Sequence, residues 1–196
     1  MNVSRPHHAP FLPRVAQMHK DKKGLFRLSG RASSIKMAWA DLAAGVTVDW
    51  FGLCPHVVTG IVKLYLRSRS TSLLSAAVVD GLAAASATAG AQASASAWLI
   101  KALPATDLAV AKTLFTVLAA VASSDAAAMD PKNLAIAIGV SMTPPGNGSM
   151  EEALSVKAKV VPMIAFVIKH HRALGLVEAY TPRCLVHTST CKQTRC

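Results

Sequence analysis

At 196 residues the chain suits one domain with a real core. Hydrophobic residues make up 52% of it, much of that alanine, and aromatics only 5%; alanine favours helix, and the scarcity of alternating Val, Ile and Tyr argues against sheet, so the expected class is all-α. The net charge of +11 is concentrated at the ends, with +7 over residues 1–36, −2 over 37–156 and +6 over 157–196, which implies an acidic partner but, without aromatics among the bases, zinc-finger spacing or an RNP-like motif, gives no support for specific nucleic-acid recognition.

In chain order, residues 1–11, with Pro6, His7, His8 and Pro10, read as a disordered lead-in, and His and Lys interrupt every apolar run that a signal peptide before residue 30 would need. A short helix is expected over Leu12 to Lys20. Gly24-Leu25-Phe26-Arg27-Leu28-Ser29-Gly30 then carries a glycine at each end, which suits a sharply shaped loop. Phe26 and Leu28 are expected to anchor that loop while Arg27 stands out on the other side. A guanidinium presents a rigid fork of donors that fits phosphate oxygens. Taken alone, Arg27 reads equally as an ordinary surface arginine on a strand-like segment.

Ile35, Ala38, Trp39 and Leu42 recur at helical spacing, and Gly45 stops that helix. Pro55 opens the next, a position where proline is tolerated, with Val57, Val58, Ile61, Leu64 and Tyr65 on its apolar side. Lys63 and Arg67 are neighbours on another side. Like charges at that spacing cost a helix about 0.2–0.5 kcal/mol, small enough for a solvated basic face, and equally a pair that awaits an anionic partner. Gly81 to Ile100 is twenty residues without a formal charge, yet it is mostly Ala, Ser, Gly and Thr; it reads as a low-complexity connection or a weak helix, not a span.

Leu103-Pro104 with Thr106 and Asp107 starts a helix carrying Leu108, Ala111, Leu114, Phe115, Leu118 and Val121. Asp130-Pro131 starts another, with aspartate as N-cap and proline in the first turn, running through Leu134, Ile136 and Ile138. Residues 144–148 form a loop, and Ser149 with Glu152 makes a capping box for a long helix bearing Val156, Val160, Met163, Ile164, Val167 and Ile168. Residues 179–196 are a basic tail. Of the four cysteines, Cys184, Cys191 and Cys196 lie there and Cys54 lies apart; without a CxxC pair, no metal site is expected and reduced cytosolic thiols are the default.

Self-contained chemistry is hard to find. GxSxG, HExxH and Walker A segments are missing, and adjacent His170 and His171 point about 100° apart on a helix, which suits surface residues at a helix end better than one shared metal. The order of segments says more. A G-[IL]-F-R-x-S-G loop, an H-x-V-x-x-x-[IVL]-K-x-[YF]-L-R helix, an L-P helix start and an N-L-A helix follow one another as Gly24–Gly30, His56 through Arg67, Leu103-Pro104 and Asn133-Leu134-Ala135. This order resembles the Rho GTPase-activating (RhoGAP) domain, over about residues 12–178.

The resemblance implies a helical bundle with an arginine-finger loop that acts on a GTP-bound Rho-family small GTPase. Arg27 falls at the finger, whose charge stabilises the transition state of hydrolysis in trans, an effect worth roughly 10³–10⁵ in rate for arginine fingers. Lys63 and Arg67 fall at the positions that meet the GTPase and brace the finger. Asn133 begins the motif that builds the core beside the site, and Ser141 stands where the family has an asparagine that supports the loop. GTP and Mg²⁺ belong to the partner, so the chain is a GTPase activator, not itself an enzyme, and needs no cofactor. A cytoplasmic monomer is implied, with an anionic membrane surface as a further partner. Where the family reads L-R-E-L-P-E-P-L-L, this chain reads Leu66-Arg67-Ser68-Arg69-Ser70-Thr71-Ser72-Leu73-Leu74 without either proline, and a looser turn is expected there. Two other readings stay open: an interaction module that binds the GTPase without accelerating it, and a basic domain for anionic membrane or nucleic acid.

Overall fold

The computed structural model describes residues 19–86, 90–144 and 150–176, the side chains of 92 and 150–157 apart. Within them the chain forms seven α-helices and one short 3-10 turn, and no strand. The helices are α1 Ala32–Ala43, α2 Pro55–Ser68, α3 Ala76–Ser86, α4 Ala91–Ala102, α5 Ala105–Ala122, α6 Pro131–Met142 and α7 Met150–His170; the 3-10 turn is Asp125–Ala127. The expected lead-in, the helix before Lys20 in all but its end, the capping box at Ser149 and the basic tail lie outside the described residues.

The starts of α2 and α6 obey their local chemistry. Pro55 and Pro131 sit in the first turns of α2 and α6, and the Asp130 side chain accepts the Asn133 N–H at 2.6 Å. Cys54 is the N-cap residue of α2, and the other three cysteines lie outside the described residues.

The core forms where α5, α6 and α7 meet α2. It is built from Ile61, Leu66, Leu114, Phe115, Leu118, Leu134, Ile138, Met163, Ile164 and Val167. Helix α5 is long and apolar enough to cross a membrane by length and composition alone, but one whole side of it, Ala111 through Val121, is buried in this core. Helix α6 runs through Leu134, Ile136 and Ile138 as expected, and Ile136 is exposed because the face that meets its neighbours runs through Leu134, Ala135, Ile138 and Met142. Of the two readings of the Ala/Ser-rich stretch, the helical one holds where it is described: α3 and α4 pack on each other, with Val78, Leu82, Ala95 and Leu99 in the shared apolar core. Small side chains let the two backbones approach, and the Trp98 indole lies over Gly81 and donates to the Val78 carbonyl at 3.3 Å.

Candidate functional site

The 24–30 loop is held from beneath and from both ends. Leu25 and Phe26 are fully buried, whereas Leu28 is 48% exposed, so the anchor is Leu25-Phe26 and not Phe26 with Leu28. The reason is backbone handedness: Gly24 and Phe26 both take positive φ, 68° and 67°, which breaks the alternation a strand-like reading assumes. Positive φ is costly for a bulky residue, and a buried phenylalanine held there is stored strain of about 1–3 kcal/mol. The turn closes on itself, with the Arg27 and Leu28 N–H groups donating to the Gly24 carbonyl at 3.0 and 2.9 Å. Leu28 folds back over Gly24, and Arg27 is left exposed.

Three neighbours fix this shape. The Gly24 N–H donates to the Ala127 carbonyl at 2.8 Å, and Ser124 Oγ donates to the Asp21 carboxylate at 2.7 Å, tying the loop's entry to the turn before α6. At the exit, Gly30 lies so close to the start of α2 that a Cβ would sit 2.5 Å from Val57 N and 2.7 Å from His56 C, backbone atoms that cannot swing aside. Between them, Lys63 Nζ donates to the Phe26 carbonyl at 2.5 Å. The peptide immediately before Arg27 is thereby pinned to α2.

The electrostatics follow from this packing. Burial pushes the Lys63 ammonium below its ordinary pKa, and Arg67 one turn along adds to the effect. Arg67 itself is exposed. Buried His56, whose Nδ1 finds no hydrogen-bond partner among the described residues, is pushed below the usual 6.5 by burial first and by Lys22 second. Lys22, Arg27, Lys63 and Arg67 therefore make a cationic region around the loop. A cost of like charge is accepted here with one exposed guanidinium at its centre, an arrangement suited to an anion carried by another molecule.

The other expected residues lie on α6. Asn133 is half-buried and its N–H is the one capped by Asp130. Ser141 is 6% exposed on the inner side of the helix, while Val140 beside it is 75% exposed. The segment after α2 is held more firmly than the missing prolines suggest: Leu73 and Leu74 are buried, and the Leu74 N–H donates to the Met142 carbonyl at 2.9 Å. Arg69 also makes an ion pair with Asp107, a contact for which the only signal in the sequence is a charge standing where the family pattern has leucine.

A family model described as the RhoGAP domain matches residues 11–147. The Rho GTPase-activating protein gacZ of Dictyostelium discoideum is 49% identical over 47 residues, which are 24% of this chain and 4% of that protein. A probable inactive serine/threonine-protein kinase of the same organism is 32% identical over 69 residues, 35% of this chain and 6% of that protein. The chain thus spans a small fraction of the curated relatives it matches. Among solved structures, human Rho GTPase activating protein 15 aligns with a TM-score of 0.72 at 15% identity, covering 84% of this chain and 82% of the other. The BH domain of GRAF, the GTPase regulator associated with focal adhesion kinase, aligns with a TM-score of 0.71 at 18% identity, covering 85% and 92%. These two likenesses concern the fold.

Proposed function

The chain belongs to the RhoGAP domain family, and from that premise we propose that it binds a GTP-bound Rho-family small GTPase and accelerates hydrolysis by supplying Arg27 in trans. The observation that carries this reading is the Lys63 hydrogen bond to the Phe26 carbonyl, which fixes the backbone at the root of an exposed arginine. The pinned peptide limits where the Arg27 side chain can go before any partner arrives, so less ordering is left to be done on binding. In the complex, Arg27 meets the γ-phosphate as charge develops on it and as water is excluded, conditions under which a guanidinium stabilises most. Lys63 and Arg67 meet the GTPase, Asn133 and Ser141 support the loop from α6, and GTP and Mg²⁺ come with the partner. The domain works as a cytoplasmic monomer. The exposed Lys20, Lys22, Lys23, Arg31 and Lys36 favour an anionic membrane surface as an additional contact.

Single-turnover GTP hydrolysis on a panel of Rho, Rac and Ras-type GTPases tests the finger. The wild-type domain accelerates at least one Rho-family member, Arg27→Ala loses about 10³-fold or more of that acceleration, and Arg27→Lys stays low because it keeps the charge without the fork. Equal rates for wild type and Arg27→Ala would refute the finger. Binding without any acceleration would select the interaction module, and salt-sensitive binding to anionic vesicles without GTPase binding would select the basic-surface reading.

A further inference from the structure

Helix α2 ends in an unusual way. Its C-cap residue, Arg69, leaves the helix in an extended conformation (φ −63°, ψ 146°), and its side chain turns back across two elements. Nη2 pairs with Asp107 Oδ1 in the first turn of α5, and Nη1 lies 3.4 Å from the hydroxyl of Tyr65, a buried residue one turn earlier in α2. The guanidinium carbon is also 6.0 Å from the Tyr65 ring centre. Both charged side chains are mostly out of water, at 17% and 14% exposure, and Arg69 Nε is buried with no partner among the described residues. A pair removed from water to this degree is strongly directional, since either charge without the other is costly there. It stands where the family pattern has leucine followed by two prolines, and where this chain has Arg69, Ser70 and Ser72.

We infer that Arg69 and Asp107 form a clasp that fixes the last turn of α2 against α5 and so presents Arg67 to the partner. Proline restrains a turn by its ring; the clasp restrains it by charge, from two segments 38 residues apart. Arg67 lies two residues before Arg69 and is exposed, so its direction is set by how that turn is held. Arg69 is then a positioning residue. The inference rests on the GTPase-activating reading only for what Arg67 is presented to.

Two measurements on the full chain test it. In hydrogen exchange, Asp107→Asn speeds exchange at the amides of residues 66–68 while those of residues 163–168 in α7 keep wild-type protection, and the charge swap Arg69→Asp with Asp107→Arg restores protection. Unchanged protection at 66–68 overturns the clasp. In titrations with a Rho-family GTPase loaded with a non-hydrolysable GTP analogue, Asp107→Asn and Arg67→Ala each weaken binding about tenfold, and the double variant is no weaker than either. A double variant weakened by the product of the two effects overturns the inference, because the clasp then acts elsewhere than through Arg67. If the wild-type domain binds no GTPase, the GTPase reading fails, and hydrogen exchange, which needs no partner, still decides the clasp.

Discussion

The 24–30 loop and the α3–α4 pair are both built around glycines, and they use them for opposite ends. At Gly30 the missing Cβ lets the loop backbone lie against His56 and Val57 at the start of α2, and the gain is a loop tied by hydrogen bonds to the Ala127 carbonyl at its entry and to Lys63 across it. At Gly81 the missing Cβ makes room for the Trp98 indole, and the gain is packed apolar area with one hydrogen bond to the Val78 carbonyl. The first is a device for holding one charged side chain in place; the second is a device for closing a small-residue helix pair. Change in the first is therefore expected to appear in rate, and change in the second in stability.

The sharpest way to break that distinction is at Lys63. Lys63→Met keeps most of the apolar stem and deletes the donor to the Phe26 carbonyl, so it removes the pin while relieving a burial cost on the ammonium. Acceleration of GTP hydrolysis is expected to fall about 10²-fold, the size of effect that a small misplacement of a reacting group produces, with thermal stability unchanged or raised. A variant that hydrolyses at the wild-type rate would show that the loop holds Arg27 without this bond.

Gly81→Ala tests the other side. The added Cβ would lie 2.1 Å from the Trp98 ring, an overlap that forces the indole off its bond to Val78. Overpacking of this kind costs about 1–3 kcal/mol, and the better helix propensity of alanine returns about 1 kcal/mol, so the net loss is up to about 2 kcal/mol. Denaturant unfolding measures it, and the hydrolysis rate below the transition is expected to match wild type. A rate loss without a stability loss would couple the two regions after all.

The same contrast explains what was legible in the sequence. The 24–30 loop, the proline and aspartate starts of α2 and α6, and the Lys63–Arg67 face all depend on residues within a few positions of one another, and local chemistry marks them. The α3–α4 pair was obscure because alanine and serine give no amphipathic contrast, and because what orders it is Trp98 meeting a glycine 17 positions earlier. The exchange of Leu28 for Leu25 as the anchor follows from positive φ at Gly24 and Phe26, a backbone feature that a side-chain pattern does not carry for phenylalanine. Asp107 is legible as part of a helix start, but its pairing with Arg69 is not, because a single aspartate in a helix's first turn is already explained by the helix dipole.

The smallest expected effect compares one histidine from each side. His56 lies at the loop's exit and His171 beyond the end of α7, where Ser96 of α4 donates to the nearby Leu174 carbonyl. Both are pushed below 6.5 by burial; Lys22 adds to the shift at His56, while at His171 the bond to the Ile168 carbonyl opposes it and Arg172 reinforces it. The sign is the same for each. Between the depressed folded value and 6.5 the unfolded chain takes up a proton that the folded chain refuses, so stability rises with pH through that window and is lost as pH falls below 6.5. Acidifying from pH 7.5 to 5.5 is expected to lower Tm by a few degrees at most, and His56→Gln and His171→Gln each flatten part of that dependence. Only His56 should also govern rate. Its protonation places a second charge beside Lys22 at the start of α2, whose backbone packs directly on Gly30, so acid slows hydrolysis in wild type and in His171→Gln but not in His56→Gln. Equal behaviour of the two variants in rate would mean that the loop is not the separately held element its bonds describe.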